Sequence, residues 1–357
     1  MTAGQSLADG AAGIALLHLA TDSWEATYAA LEEAVAGGVS VAGGASLYYG
    51  APALAFVLAS SDQPSLARAR ATAAVGLKAV TRHRLEAAHR RIDQHRQPEY
   101  AEYDLIRGLT GLGVALRRAG DLDLLREVLT YLVRLTEPIG PLPGWWCRHG
   151  PHREDVPGGH GNFGISHGIS GPLALLALSH LDGVHVDGHA EAIGRILRWL
   201  DSWQRQTDNG AAWWPQTITL TDLERAESAQ AGPLRPCWCY GTPGIARACQ
   251  LAARAITDPA RQETAEAAFG ACVSDPHQLA RLTDRGLCHG TAGLLATARR
   301  IAADARTQIP LTLIEKNHQH TPAASDEPAG LLNGTAGIAL AETAEAATGW
   351  DACLLLI

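Results

Sequence analysis

Two kinds of apolar patterning alternate along this chain. The first is an alanine- and leucine-rich run that is apolar on nearly every side, as in 168–181. The second is a more charged, amphipathic stretch, found at 22–36, 64–81, 122–136, 191–206 and 259–273. A helix that is apolar all round is buried, whereas one with a single apolar stripe lies half exposed. Each run of the first kind is introduced by a G-x-x-G: Gly10/Gly13, Gly108/Gly111, Gly168/Gly171, Gly241/Gly244, Gly290/Gly293 and Gly334/Gly337. Gly50-Ala51-Pro52-Ala53 is a degenerate copy. Seven such starts predict an all-α fold, an (α/α)7 toroid with an inner and an outer ring, formed by residues 1–357 as a single domain. Solenoid repeats would be more regular in length.

Two long stretches break the helical pattern. Residues 137–166 are rich in Pro, Gly, His and Trp, with Trp145-Trp146 and the histidines His149, His152 and His160. Residues 207–235 contain Trp213-Trp214. Loops of this length in a compact domain are functional or disordered, and paired tryptophans argue against disorder. Each leads straight into a glycine start, so both are read as walls or lids of a site. The polar stretch 312–327 is expected to be an exposed connector.

Composition sharpens this picture. Hydrophobic residues make up 46% of the 357, yet Phe is 3 and Met is 1, so small and aliphatic side chains carry the core. That favours closely approaching helices over sheets. A net charge of −8 gives no general case for nucleic acid or an anionic membrane as partner. No apolar run is long enough to span a bilayer, so no integral membrane segment is expected. The N-terminus lacks the basic and apolar regions of a signal peptide. The 7 cysteines are an odd number and widely scattered. In a cytoplasmic chain, the expected location, such cysteines favour metal binding or catalysis over disulfides.

The residue before each first glycine is Asp9, Tyr49, Arg107, His167, Tyr240, His289 or Asn333. All are polar or aromatic, although the runs behind them are greasy. If the inner helices start at one end, these residues line a mouth where free N–H groups and positive dipole ends converge. N-cap preference accounts for Asp9 and Asn333 but not for His, Tyr or Arg.

Two of these starts carry a cysteine at the same offset, Cys239-Tyr240-Gly241 and Cys288-His289-Gly290. Cys239, Cys288 and His289 are a ligand set suited to Zn2+, and three protein ligands leave one tetrahedral position open, the pattern of catalytic zinc. The alternative is a pair of buried cysteines that merely pack. Cys237 is a minor candidate for a fourth ligand, in a tighter chelate than C-x2-C. The open position suits an incoming thiol, which a metal deprotonates, or a water. His167 stands on the rim without being needed for metal, and is a candidate general acid/base. Asp104 either orients a neighbour or caps a helix. Arg235 either holds an anionic oxygen or Tyr240, or forms a surface salt bridge.

Several motifs carry a family resemblance: Tyr103-Asp104-Leu105-Ile106-Arg107-Gly108, Ser166-His167-Gly168-Ile169-Ser170-Gly171, Trp238-Cys239-Tyr240-Gly241, Leu287-Cys288-His289-Gly290 and Leu332-Asn333-Gly334-Thr335-Ala336-Gly337. On these, nearly the whole chain resembles the lanthionine synthetase C-like proteins, the lanthipeptide cyclases. The resemblance implies one zinc on Cys239, Cys288 and His289. It implies acid/base or positioning roles for His167 and Asp104, with Arg235 and Tyr240 beside the metal. It implies closure of thioether rings, a peptide cysteine adding to dehydroalanine or dehydrobutyrine in a dehydrated precursor peptide with a leader. No dehydratase or kinase-like region is visible, so a separate dehydratase is expected. Two departures stand out. Only nine residues precede Gly10, so ring closure is expected to be unusual or the start incomplete, and Pro236-Cys237 is an uncommon link after Arg235.

Other readings remain. A member of the same family could add glutathione to electrophilic dehydrated residues, or the toroid could be a non-catalytic peptide-binding scaffold. A prenyltransferase subunit or glycosidase would also be an α/α toroid. Glycosidase chemistry needs paired acids, and the rim candidates Asp9 and Asp104 sit in different repeats.

Overall fold

A computed structural model describes residues 3–150, 154–343 and 348–357, so His152 lies outside the described residues. Seven helices form an inner ring: Ala11–Ala20, Ala51–Leu58, Leu109–Ala119, Ser170–Leu181, Thr242–Ala255, Thr291–Asp304 and Thr335–Glu342. Each packs on the next, and the last packs on the first, so the ring closes. The outer helices Trp24–Val35, Ala67–Asp93, Leu122–Leu135, His189–Trp203, Pro259–Ser274 and Leu311–His320 each lie against the inner helix that precedes them. The toroid expected from the patterning is therefore the fold.

Two elements differ from the sequence expectation. The second outer helix runs on to Asp93, because its buried face continues through Thr81, Leu85, Ala88 and Arg91, the last paired with Glu102. The stretch expected to be an exposed connector contains the sixth outer helix, Leu311–His320. Its buried face is only Ile314 and His318, one turn apart, and His318 Nδ1 bonds the Thr291 hydroxyl at 2.8 Å. A stripe of two residues, one of them histidine, is too thin to show as periodicity.

The two long loops come together. Strands Cys147–His149, Asp155–Asn162 and Thr217–Thr219 form one antiparallel sheet with Asp155–Asn162 in the middle. Glycines in the central strand hide the alternation that marks a strand. Trp145, Trp146, Trp213 and Trp214 are all buried, and the first two rings meet Trp199 edge-on.

The chain's last residues fill the ring rather than adding an outer helix. Tyr48 donates its hydroxyl to the Cys353 carbonyl at 2.8 Å, and Trp238 its indole N–H to Leu354 at 2.9 Å. Arg247 donates to Leu356 at 2.6 Å and Arg117 to Ile357 at 2.8 Å. Residues from three inner repeats thus hold the tail.

A belt of backbone bonds joins the turns that precede the inner helices. At six of the seven junctions, all but the one into the turn before Gly108, the carbonyl two residues before the first glycine accepts an N–H from the preceding repeat's turn. Leu7 donates to Tyr48, Leu105 to Ser166, Ile165 and Ser166 to Cys239, Cys239 to Cys288, Cys288 to Leu332, and Leu332 to Ala8. The last bond crosses the junction where the ring closes. The second glycine of each motif has a matching reason. The turn folds back so that a carbonyl six residues upstream rests on the helix's first turn. A Cβ on Gly244 would strike the Trp238 carbonyl, and one on Gly293 that of Leu287. The belt fixes the side chains on either side of each carbonyl at one mouth of the ring.

Candidate active site

The belt alternates buried and accessible positions. Cys239 is buried, whereas its neighbour Tyr240 is half-buried, as are Tyr49, His167 and His289. Asp9, Arg107 and Asn333 are exposed. Every residue expected on the rim thus reaches the surface of the mouth. Asp9 and Asn333 are not caps. The N-caps of their helices are Gly10 and Gly334, with no side-chain cap bond.

Cys239, Cys288 and His289 come together, their ligand atoms all within 4.8 Å of one another. They do so because Cys239 N–H donates to the Cys288 carbonyl across neighbouring repeats at 3.3 Å. Among the described residues no other group of His, Cys, Asp or Glu converges this closely. Cys239 Sγ lies 3.6 Å from His289 Nδ1. A sulfur about 2.3 Å and a nitrogen about 2.05 Å from one tetrahedral zinc stand about 3.6 Å apart, so the donor set fits that ion. Cys237 Sγ is 3.5 Å from Cys239 Sγ but is not part of the converging group. For Cys239, the bond from Cys237 favours the thiolate, while the neighbouring Cys288 and burial oppose it more strongly, so its pKa is raised. A cation bound beside Cys239 would favour its thiolate.

His167 follows Ile165 and Ser166, whose N–H groups both donate to the Cys239 carbonyl, at 3.0 and 3.3 Å. The imidazole is thereby set beside the thiol–imidazole trio. Its Nδ1 lies 2.6 Å from Asp104 Oδ2. The other oxygen of Asp104 accepts the N–H groups of Arg107 at 2.6 Å and Gly108 at 2.8 Å. Asp104 is fully buried, so it both stabilises the turn and orients His167. A carboxylate on Nδ1 assigns the proton to that nitrogen and leaves Nε2 free for chemistry. A cavity of about 250 Å³ opens beside the pair, lined in part by Tyr100, Asp104, Arg107, His149 and His167.

Tyr240 packs its ring 6.1 Å from that of His167, and Tyr100 stands edge-on to the same imidazole at 6.1 Å. Burial raises the pKa of Tyr240, while a hydrogen bond with Asn162 partly offsets it. The phenol stays protonated near neutral pH. Arg235 is half exposed and lies 3.8 Å from Asp284, so the salt-bridge alternative is present, and its charge also reaches Cys239. Cys147, Cys249 and Cys272 are buried elsewhere, each with a thiol pushed up to about 12 by burial. Cys353 is fully buried in the tail.

Three residues of this region were not marked by the sequence as site residues. Asn162 accepts the Gly164 N–H at 2.9 Å and donates to the Tyr100 hydroxyl at 2.9 Å. Tyr100 also bonds His160 Nε2. Asn162 therefore bonds both tyrosines that flank His167. In sequence it is one asparagine in a glycine-rich stretch and reads as a turn residue.

The model of the lanthionine synthetase C-like protein family matches residues 2–355. The nisin biosynthesis protein NisC of Lactococcus lactis subsp. lactis is 23% identical over 203 residues, covering 54% of this chain and 48% of that protein. The chain thus spans about half the length of that curated relative. The solved structure of nisin cyclase superposes with a TM-score of 0.83 at 20% identity, over 100% of this chain and 93% of that one. That likeness establishes the helical toroid. With the family match over nearly all of its length, the chain belongs to the lanthionine synthetase C-like family.

Proposed function

We propose that this chain is a zinc-dependent lanthipeptide cyclase, a single domain over 1–357 acting in the cytoplasm. Its substrate would be a leader-bearing precursor peptide, already dehydrated by a separate enzyme. The reaction adds a peptide Cys S–H across the C=C of dehydroalanine or dehydrobutyrine in the same peptide. The observation that carries this reading is the placement of the Cys239, Cys288 and His289 trio beside the Asp104–His167 pair.

Cys239, Cys288 and His289 would hold the zinc. When bound, it would supply a site at which an incoming thiol loses its proton at neutral pH. The protein's own residues account for the rest. Asp104 keeps the His167 proton on Nδ1, so Nε2 can take up the proton released by the substrate thiol. As the S–Cβ bond forms, the alkene's π pair moves to Cα and the carbonyl, giving an enolate. Nε2 of His167 then returns its proton to Cα, which leaves the imidazole neutral and the thioether complete. Tyr240, protonated and packed against His167, is placed to donate a hydrogen bond to the developing enolate oxygen, with Arg235 as a nearby positive charge.

A dehydrated, cysteine-containing peptide incubated with the purified protein tests this. Mass spectrometry after thiol alkylation should show loss of free thiol without mass change. A glutathione adduct formed in place of a ring would favour the glutathione-adding relative. Tight peptide binding without turnover would favour the scaffold.

A further inference from the structure

The junction between the fourth inner helix and its outer partner carries three histidines outside the proposed active site. His180 lies in the last turn of Ser170–Leu181, His185 in the connection, and His189 begins His189–Trp203. Gly183 and Gly188 take left-handed φ values of 78° and 73°, which folds the connection tightly. The ring centroids of His180 lie 4.4 Å from His185 and 5.5 Å from His189, and those of His185 and His189 are 6.3 Å apart.

The Nδ1 atoms of His180 and His185 face each other at 3.3 Å. Two imidazole nitrogens about 2.05 Å from one tetrahedral cation stand about 3.3–3.4 Å apart. Without a cation, one of these nitrogens must carry a proton to avoid opposing lone pairs. His189 is the buried member, only 3% exposed. Its Nε2 bonds the Leu176 carbonyl at 2.8 Å, so Nε2 carries the proton, and Nδ1 is a bare acceptor with no partner. Donating the second ring N–H to a backbone carbonyl is how metal-ligating histidines are commonly oriented. Burial lowers the pKa of His180 and of His189, so both imidazoles are neutral and able to ligate at neutral pH. The site also sits at the C-terminal, electronegative end of a helix, which favours a cation. Asp182 is already paired with Arg117.

We propose that His180, His185 and His189 form a second metal site, for a borderline divalent cation of the Zn2+, Co2+ or Ni2+ class that prefers imidazole. His180 and His185 supply the bite. The three rings do not converge as closely as Cys239, Cys288 and His289 do, so on binding the His189 ring tilts about its retained Nε2–H bond to Leu176 to bring Nδ1 to the ion. The ion staples an inner helix to its outer partner, at the opposite end of Ser170–Leu181 from His167.

Co2+ loading of the metal-free, full-length protein tests this. Thiolate ligation gives an intense near-ultraviolet charge-transfer band that imidazole-only ligation lacks. The expected result is a second equivalent of Co2+ that adds nothing to that band. It is lost in His185→Ala and kept in Cys239→Ala, and His189→Gln weakens it by about tenfold or more. His185 is exposed, so its removal leaves the fold intact, which circular dichroism checks. Co2+ should also raise the Tm of Cys239→Ala but not of Cys239→Ala/His185→Ala. Equal stoichiometry and affinity in the wild type and His185→Ala would overturn the proposal and leave the His180–His185 contact a hydrogen bond only.

Discussion

Asp104 Oδ2 meets His167 Nδ1 at 2.6 Å across 63 residues of sequence, joining the third and fourth inner repeats at the mouth of the ring. The bond is possible because Leu105 N–H donates to the Ser166 carbonyl at 3.1 Å, fixing the two turns side by side. A buried carboxylate with one oxygen on backbone N–H groups and the other on an imidazole is a preset orientation. It keeps Nε2 directed away from Asp104.

His167→Ala should therefore keep its zinc and still bind peptide, because His167 lies outside the Cys239, Cys288 and His289 group. Ring closure should slow by roughly a hundredfold or more, the usual consequence of losing a positioned acid/base. Asp104→Asn should slow it by about tenfold or more, since an amide N–H facing Nδ1 favours the wrong tautomer. The measurement is a time course of alkylatable thiol with zinc content on the same samples. Loss of metal in His167→Ala would make it a ligand and break the three-ligand assignment.

Cys239→Ala, Cys288→Ala and His289→Ala should each lose most of about one zinc per chain, because an open site has only three protein ligands. Cys249→Ala should keep it, since its thiol is buried in an inner helix away from the trio. Metal analysis after dialysis against a mild chelator reads this directly. Full retention in all three ligand variants would remove the zinc assignment.

Much of this architecture was legible in the sequence because it is local. Each G-x-x-G marks a helix start whose second glycine meets a carbonyl six residues upstream, so the constraint recurs at fixed spacing. The offset shared by Cys239 and Cys288 was legible for the same reason. The helix Leu311–His320 was hidden because only Ile314 and His318 face inward. The sheet was hidden because its central strand contains three glycines between 155 and 162. Asn162 was hidden because its partner Tyr100 lies 62 residues away and nothing in either neighbourhood announces the contact.

Gly244→Ala tests the repeated close approach. A Cβ there meets the Trp238 backbone carbonyl, one residue before Cys239, and backbone cannot swing aside. Destabilisation of about 2–4 kcal/mol is expected, the range for strain at a constrained core position. Gly270→Ala, in an outer helix with nothing near its Cβ position, should be neutral or slightly stabilising. Urea unfolding of both variants gives the comparison. Equal midpoints would show that the inner turns tolerate a side chain.

Asn162→Ala probes whether the tyrosines are held for chemistry or for packing. The amide bonds the hydroxyls of both Tyr100 and Tyr240, whose rings flank His167. Removing it deprives both phenols of the amide bond and frees Tyr240 to turn away from the imidazole. Metal content should be unchanged, because Asn162 touches none of the trio. If Tyr240 donates to the enolate oxygen, kcat for ring closure should fall by about tenfold or more while KM stays close to that of the wild type. Losing the Asn162 bond removes the influence that opposes the raised pKa of Tyr240, so that pKa should rise further. Tyr240 should therefore stay protonated across the accessible alkaline range in both the wild type and the variant, so the kcat loss should not vary with pH there. Tyr240→Phe should reproduce the kcat loss, and combining it with Asn162→Ala should add little, because both act through one hydroxyl. A double variant that loses the full product of the two effects would instead mean that Asn162 works through Tyr100 or through the loop at Gly164.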